Sequence, residues 1–401
     1  MRLMRIFIHD YAGHPFQIEL SRSLAARGHD VEHTYCSSLA TTPHGSLLPA
    51  SDDPDSLKVT PISLGEPLEK FKFTKRFRQE HAYGKLAADH VKAFRPEVVL
   101  SGNAPLDAQK RLLSASHEVG ARFVYWAQDL IGLATQRLLA GRWMGAGSMI
   151  GSHYARLERS LFSASDHSIV ISDDFKPILE SWGIQKSNIT VIENWATLDE
   201  MPRRPRDNAW AGEHGTEQSP CFLYSGTLGL KHNPDLLLQL AIHNPEATVI
   251  VVSQGLGADW LSDRKSELGL NNLTLLPFQP YDRLPDVLAA SDILVAILEP
   301  DADVFSVPSK VLTYLCAARP VLLAVPVNNL AARIVERNSA GFVVSPNDTE
   351  GFLAAAATLL GDSDVRAEMA GNARAYAENN FNIGTITDRF EAVLSAKVDL
   401  T

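Results

Sequence analysis

The sequence contains few cysteines, and their spacing excludes two kinds of stabilising centre. Only Cys36, Cys221 and Cys316 occur among 401 residues, and they lie far apart with no CxxC spacing. Disulfide frameworks and structural zinc sites need paired or clustered cysteines. The sequence therefore predicts neither, and it is typical of a protein of a reducing compartment such as the cytoplasm.

The sequence also lacks a long apolar segment. Nowhere does it hold the roughly 18 uninterrupted apolar residues that a membrane-spanning helix needs. The opening stretch MRLMRIFIHDYAGH has too short an apolar run for a signal peptide and meets a His-Asp pair at once, so it predicts a first strand. We therefore expect a cytoplasmic protein.

Basic residues are in the minority. The chain holds 37 Lys and Arg against 47 Asp and Glu, a net charge of −10, and all of this acidic excess lies after residue 195. An acidic total argues against nucleic acid as a partner. Neither GxxxxGK[ST] nor GxGxxG occurs, so the main sequence signals of P-loop kinases and dinucleotide-dependent dehydrogenases are absent.

Strand and helix signals alternate along both halves of the chain. Strand RIFIH is followed by the amphipathic stretch HPFQIELSRSLAARG, and CFLYSG is followed by NPDLLLQLAIHN. Strands separated by helices predict βαβ units and parallel sheets, and 401 residues exceed what one core usually serves. We expect a first domain at 1–195, a linker at the polar, Pro- and Gly-rich segment 196–220, a second domain at 221–375, and a helical tail at 376–401 that packs back toward the first domain.

Three polar strand ends in the second half predict an anion site. Parallel sheets bind ligands at the carboxyl ends of their strands, and lysine is unfavourable in the first turn of a helix unless an anion is near. The alternatives are plain βα turns and a solvated lysine. The coincidence of three such ends favours a diphosphate site built from Ser225, Gly226, Thr227 and Lys231 after one strand, Ser253, Gln254 and Gly255 after the next, and Ser306, Val307, Pro308, Ser309 and Lys310 at a helix start.

An ordered set of motifs runs along nearly the whole chain. In the second half these motifs are YSGTLGLKHN, LPFQPYDRLPDVLAASDILVAIL and VPSKVLTYLCAARPVL. In order and spacing they resemble the nucleotide-sugar domain of a glycosyltransferase of family 4. YAGHPFQIELSRSLAARGHDV, YWAQDL, HSIVISDDFKPILESWGI and ITVIENWAT resemble its acceptor-side half. The Pro-Ser-Lys and Asn-Trp signatures resemble those of the bacterial fucosamine-type transferases of O-antigen, colanic acid and capsule assembly. The resemblance implies the GT-B fold, an α/β fold of two Rossmann-like parallel-sheet domains that face a central cleft.

The resemblance also implies an activity. It is the metal-independent transfer of a sugar, with retention, from a nucleoside diphosphate to a hydroxyl of a lipid-linked or saccharide acceptor. The expected donor is a UDP-linked N-acetylhexosamine or 6-deoxy relative, with no further cofactor. The sequence DAD at 301–303 is either a solvated loop or a mimic of the metal-binding DxD of another transferase fold. The alternatives are a UDP-sugar 2-epimerase-like enzyme and an inactive scaffold that binds nucleotide sugars.

Two positions depart from the family pattern. The family's paired glutamates align with Phe305 and Thr313, which leaves recognition of the donor ribose unassigned. The usual arginine after the first glycine is Thr227, so Lys231 and Lys310 are expected to carry the diphosphate charge. Fixed cations of this kind stabilise the charge that develops on a leaving diphosphate.

Residues in the first half supply candidates for acceptor chemistry. Gly13 and His14 end the first strand and are expected to face the cleft and contact the donor. Asp129 ends the strand FVYWAQD and is the candidate to orient or deprotonate the acceptor hydroxyl, with capping of the next helix as the alternative. His9 and His153 are lesser candidates for the acceptor site, since a lone histidine is more often structural.

Two further interpretations concern the donor base and partners. Phe278 follows the strand LTLLP and is expected either to contact the base or to belong to the core. Segment 69–95 holds eight basic residues against three acidic ones, interleaved with aromatics, and 137–148 adds more basic residues. This composition favours docking on the inner face of an anionic membrane or on a lipid diphosphate, with a solvated helix face as the alternative.

Overall fold

The chain folds into two compact units in a computed structural model that describes residues 2–39, 47, 49–69, 72–140, 145–229, 232–300 and 307–396. The first unit is Met1–Asn194 with Ile383–Thr401, and the second is Trp195–Asn382. The boundary therefore falls within the Asn194-Trp195 pair, and Trp195 is buried.

The first unit is built on a parallel sheet. Its seven described strands are ordered β3-β2-β1-β4-β5-β6-β7, so the order reverses between β1 and β4, where ligands bind in sheets of this kind. Apart from the two edge strands β3 and β7, these strands are predominantly buried, as expected for a sheet covered by helices on both faces. The strands are β1 (Arg5–Asp10), β2 (Asp30–Cys36), β3 (Leu57–Ile62), β4 (Val98–Ser101), β5 (Arg122–Ala127), β6 (His167–Val170) and β7 (Ile189–Val191).

Helices connect these strands, and the last helix of the chain returns to the same unit. The helices are α1 (Pro15–Ala26), α2 (Phe73–Phe94), α3 (Leu106–Glu118), α4 (Ile131–Leu139), α5 (Ala146–Ala164), α6 (Phe175–Ser181) and α15 (Ile383–Ser395). Arg27, which directly follows α1, donates to Asp388 and Glu391 of α15 at 2.6 Å each. The tail thus joins the first unit from Ile383 onward rather than from residue 376.

The second unit has a parallel sheet of six described strands in the order β10-β9-β8-β11-β12-β13. The order reverses between β8 and β11, which places the ligand-binding edge of this unit at the end of β8. The strands are β8 (Cys221–Ser225), β9 (Thr248–Val252), β10 (Leu273–Leu276), β11 (Ile293–Ile297), β12 (Val321–Ala324) and β13 (Gly341–Val344). Two parallel sheets, one in each unit, confirm the predicted α/β architecture.

The helices of the second unit begin at capping residues in several places. Asp348 and Asp362 accept hydrogen bonds from backbone amides in the first turns of α13 and α14, which satisfies donors that no helical carbonyl can reach. The helices are α7 (Ala209–His214), α8 (Asp235–His243), α9 (Leu256–Leu268), α10 (Leu284–Ala289), α11 (Lys310–Cys316), α12 (Leu330–Arg337), α13 (Thr349–Gly361) and α14 (Ser363–Asn380). Within the described parts of the chain, none of the helices is apolar enough over a sufficient length to span a bilayer.

The expected linker at 196–220 is wrong, because this segment is part of the second unit. Trp210 of α7 is fully buried, and its Nε1 donates to Gln279 at 3.1 Å. Arg206 forms a forked pair with Asp292, with both distances 2.9 Å. Trp210 and Arg206 anchor this irregular backbone to the second unit. A segment without a periodic pattern of apolar residues is therefore still packed against the core.

Candidate functional site

The loop that follows β8 is fixed against the loop that follows β9. The amide of Leu228 donates to the Ser253 hydroxyl at 3.1 Å and to the Gln254 carbonyl at 3.3 Å. The amide of Gly257, in α9, donates to the Leu228 carbonyl at 3.0 Å. Two of the three predicted strand ends therefore meet, and the Ser253 hydroxyl is used to hold the β8 loop.

Two glycines permit this close approach. Gly226 has a φ of +138°, and a Cβ built on it would lie 2.5 Å from Lys310 Nζ. Gly255 has a φ of +112°, and a Cβ there would lie 3.1 Å from the Leu228 carbonyl oxygen. Only glycine adopts such a conformation without strain, so both residues are required by the backbone as well as by the limited space.

Lys310 brings the third predicted element to the same place. It is the first residue of α11, and its Nζ lies 3.8 Å from the centroid of the Tyr224 ring. A cation over the face of an aromatic ring is attracted by the ring's quadrupole. The Lys310 side chain as a whole is half-buried, but its ammonium is buried and is held beside Gly226, at the carboxyl end of β8.

Two tyrosines that the sequence interpretation missed support this loop. The Tyr314 hydroxyl, on α11, accepts from the Ser225 amide at 2.9 Å and donates to the Ser225 carbonyl at 3.1 Å. The Tyr224 hydroxyl donates to the Thr227 carbonyl at 3.0 Å. Burial raises the pKa of both phenols, so both remain protonated donors at neutral pH. The available signal for Tyr314 was its position four residues after Lys310, on the same helix face.

Other predicted donor residues occupy varied positions. Thr227 and Ser309 are exposed, and Ser309 stands at the start of the seven-residue α11 without a side-chain capping bond. Val307, Pro308 and Phe278 are half-buried. The predicted residues Lys231 and Ser306 lie outside the described residues, as does the DAD sequence at 301–303. Among the residues that the structure describes, no group of three or more His, Cys, Asp or Glu side chains could hold a metal ion.

A cavity with both polar and apolar residues in its wall, here called the switch-point cavity, lies at the carboxyl ends of β1, β4 and β5 in the first unit. It has a volume of about 520 Å³ and includes the predicted residues His14 and Asp129 in its wall. Its polar wall residues include Tyr11, His14, Arg76, Asn103, Asp129 and Tyr154. The cavity therefore offers both signs of charge and several hydrogen-bonding groups at the sheet's switch point.

His14 is held at the cavity wall by the buried Asp10. The Asp10 carboxylate accepts from the Gly13 amide at 3.0 Å, from the His14 amide, and from His14 Nδ1 at 3.0 Å. Burial alone would raise the pKa of Asp10, but the charge and hydrogen bonds of His14 outweigh it and lower that pKa. Burial opposes protonation of His14 in turn, yet Asp10 and the more distant Asp129 raise its pKa. The Gly13 amide, a predicted donor contact, is engaged by Asp10.

The Asp129 carboxylate is held by an asparagine of the loop after β4. Its Oδ2 accepts from Asn103 Nδ2 at 3.1 Å, and Asn103 Oδ1 accepts from the Gln128 amide at 2.9 Å. The residue at the N-cap of α4 is Leu130, and the Leu133 amide in the first turn donates to Glu158 Oε2 at 3.1 Å. Glu158 of α5 thus accepts a hydrogen bond from the first turn of α4, while Asp129 lines the cavity.

Glu158 should make folding stability depend on pH. Burial raises the pKa of its carboxyl to about 7, from 4.5, although backbone hydrogen bonds from α4 lower it. Because the folded pKa exceeds the unfolded one, the free energy of unfolding should fall as pH rises from about 4.5 to 7, by on the order of 3 kcal/mol. Glu158→Gln should lack this fall. Urea denaturation of both proteins at pH 5 and pH 8 would measure it, and parallel changes in the two proteins would contradict the expectation.

The two other histidines proposed for the acceptor site differ in position. His9 is fully buried, its Nε2 lies 3.0 Å from the Tyr83 hydroxyl, and its Nδ1 lies 3.2 Å from the Ser101 hydroxyl. Burial lowers its pKa to about 4. His9 is therefore a neutral structural residue rather than an acceptor contact. His153 is exposed on α5 and lines a second cavity of about 520 Å³ together with Met149.

Two parallel-sheet Rossmann-like units, each with polar residues at its switch point, define the GT-B class of fold. Residues 16–200 match the profile described as Glycosyltransferase Family 4, and residues 207–376 match that described as Glycosyl transferases group 1. The chain belongs to glycosyltransferase family 4.

One curated relative and several solved structures are similar to this chain. WcaI of Escherichia coli K12, named as a glycosyl transferase of colanic acid biosynthesis, is 26% identical over 201 residues, a match that spans 48% of each chain. Alr3699/HepE of Anabaena in complex with UDP-glucose is 18% identical with a TM-score of 0.72, covering 98% of this chain and 99% of that one. Sucrose-phosphate synthase of Thermosynechococcus elongatus is 15% identical with a TM-score of 0.76, covering 98% of each chain. The chain thus matches about half the length of its curated relative, and the structures share its fold.

Proposed function

We propose that this protein transfers a sugar from a nucleoside diphosphate to an acceptor hydroxyl, and that the second unit binds the donor. The observation that carries the proposal is the Lys310 ammonium, held over Tyr224 and beside Gly226 at the carboxyl end of β8. Negative charge grows on the diphosphate as the glycosidic bond breaks, and a fixed cation stabilises it. We propose that Lys231 supplies a second positive charge.

The proposed donor is a UDP-sugar, and the proposed transfer proceeds with retention and without a metal. The Alr3699/HepE structures in complex with UDP-glucose and with UDP support the choice of nucleotide. The resemblance to fucosamine-type transferases favours an N-acetylated hexosamine or a 6-deoxy sugar. The name of WcaI supports a role in assembling a surface polysaccharide.

The acceptor is proposed to bind in the switch-point cavity of the first unit, with its hydroxyl near Asp129. A second and more strongly apolar cavity shares Phe77, Asp107 and Tyr154 with the switch-point cavity. Phe77 is 40% exposed and Met149, also in the second cavity, is 75% exposed. An acceptor with a polar head and an apolar tail would match this pair of cavities, which favours a lipid-linked acceptor over a free saccharide.

Incubation with a panel of UDP-sugars tests the reaction class. A transferase without acceptor should slowly release UDP and free sugar from its true donor, because water replaces the acceptor hydroxyl. An altered sugar still attached to UDP would indicate a 2-epimerase. Binding without any turnover, even with polysaccharide-repeat acceptors present, would indicate a scaffold.

Membrane docking through α2 is a further part of the proposal. Arg78 lines the apolar cavity beside the half-exposed Phe77, so a basic residue and an aromatic one share this surface. Each basic residue near an anionic membrane contributes about 1 kcal/mol, so Arg78→Gln should weaken binding to vesicles with one-third phosphatidylserine about fivefold. Sedimentation with such vesicles would measure this.

The control for the membrane prediction is Lys186→Gln. Lys186 is 81% exposed in the same unit, next to β7 rather than on α2, and its loss removes the same charge. If Arg78→Gln and Lys186→Gln weaken vesicle binding equally, the effect depends on net charge and not on a docking surface at α2. Absence of vesicle binding by the unmodified protein would reject docking.

A further inference from the structure

Two residues on one face of α11 contact the same three-residue stretch of the β8 loop. Lys310 places its ammonium over Tyr224 and against Gly226, and Tyr314, four residues later, bonds to the backbone of Ser225 between them. Residues four apart on a helix lie one above the other. The helix therefore presents a charge and a hydrogen-bonding hydroxyl to consecutive residues of one loop.

The Tyr314 hydroxyl takes the place of a missing strand partner. In a parallel strand, the N–H and C=O of one residue point to the same neighbour, and those of the next residue point to the opposite side. The Gly226 amide donates to Val252 of β9, so the two groups of Ser225 point toward β11. The register between β8 and β11 extends only to Leu223. Beyond that point the Tyr314 hydroxyl satisfies both Ser225 groups.

We propose that Tyr314 is a positioning residue for the donor diphosphate, because it fixes the Ser225-Gly226 backbone relative to the Lys310 ammonium. The inference rests on the proposed donor site in this unit. A hydroxyl is suited to this task since it accepts from the amide and donates to the carbonyl at once. The side chain is 1% exposed, which excludes water as a ready replacement.

The tight contact at Gly226 explains why a small shift would matter. No room exists for even a Cβ between Gly226 and Lys310 Nζ, so the loop backbone and the ammonium are in direct contact. Tyr314→Phe keeps the ring and leaves the amide and the carbonyl of Ser225 without their partner. Buried backbone groups do not remain unsatisfied, so the loop should move to find water. That movement would change the distance between the Lys310 ammonium and the Ser225-Gly226 backbone.

Calorimetric titration with UDP tests the proposal in a double-mutant cycle. Tyr314→Phe should raise the Kd for UDP about tenfold in the otherwise unmodified protein. In the Lys310→Ala background the same substitution should have less than a twofold effect, because the charge that it positions is gone. An unchanged Kd, or an equal factor in both backgrounds, would overturn the proposal, because a merely structural residue does not couple to Lys310.

Tyr83→Phe is the matched control. It removes another buried phenol oxygen, in the first unit, where the hydroxyl bonds to His9. Its Kd for UDP should equal that of the unmodified protein. If the unmodified protein does not bind UDP at all, the proposed donor site fails, and this outcome is distinct from a normal Kd that Tyr314→Phe leaves unchanged.

Amide hydrogen exchange tests the contact between the Tyr314 hydroxyl and the Ser225 backbone without nucleotide and without any variant. In the unmodified protein the Ser225 amide should exchange as slowly as that of Leu223, although Ser225 lies beyond the ladder with β11. Exchange of Ser225 as fast as that of the exposed Thr227 would show that the hydroxyl does not hold the loop, and would overturn the inference even if Tyr314→Phe fails to fold.

Discussion

Lys310→Ala is expected to reduce kcat/KM for sugar transfer by roughly 10²–10³, the range found when one preorganised donor to a developing oxyanion is removed. The ammonium is fixed before the donor arrives, because the Tyr224 ring and Gly226 enclose it. If the diphosphate binds there as proposed, its alignment with the ammonium requires no reorganisation during the reaction. Since charge on the leaving group grows toward the transition state, kcat should fall as well as the affinity for UDP.

Steady-state kinetics with the true donor and calorimetry with UDP would measure the two effects of Lys310→Ala. Lys186→Ala is the control, since it removes an ammonium group that is 81% exposed in the other unit. Lys310→Arg should recover only part of the activity, because the larger guanidinium has no space beside Gly226. Normal affinity and normal kcat in Lys310→Ala would remove the diphosphate site from the second unit.

The parts of this site that the sequence predicted are those with local signals. Strand ends that carry Ser, Gly or Lys can be recognised from alternation and turn composition, and the structure does bring Gly226, Gly255 and Lys310 to one edge of the sheet. Tyr314 and Asp10 were missed, because their importance depends on what they contact. A tyrosine in an apolar helix and an aspartate at a strand end have many ordinary uses.

The two predictions that were wrong, the acceptor role of His9 and the linker at 196–220, also failed because contacts between distant residues cannot be seen in the sequence. His9 looked available because it stands next to the end of β1, but the side chains of a strand alternate between its two faces. The face that His9 occupies contains Tyr83 and Ser101, which bond to both of its ring nitrogens. The segment 196–220 looked like a linker for a comparable reason, because its anchors, Trp210 and Arg206, are single residues whose partners lie about 70 to 86 positions away.

Asp129→Asn is expected to reduce transfer to the acceptor by roughly 10²–10⁴, the contribution of a positioned general base or orienting carboxylate. The substitution keeps the shape of the side chain and its place next to Asn103, but it removes the charge that can accept a proton from a hydroxyl. The affinity for UDP should not change, because the charges proposed to bind the diphosphate belong to Lys231 and Lys310 of the second unit. Slow hydrolysis of the UDP-sugar should persist, since water does not depend on acceptor positioning.

Asp107→Asn is the matched control for Asp129. Asp107 is a second carboxylate in the wall of the same cavity, and it lies 3.4 Å from the Tyr154 hydroxyl rather than next to Asn103. If Asp129 acts on the hydroxyl, its replacement should lower kcat far more than that of Asp107, whose loss should act mainly on the KM for the acceptor. Equal effects of the two substitutions would mean that the cavity contributes only its overall charge. In that case the proton of the acceptor hydroxyl must pass to another group, for which His14, held by Asp10 in the same wall, is the next residue to replace.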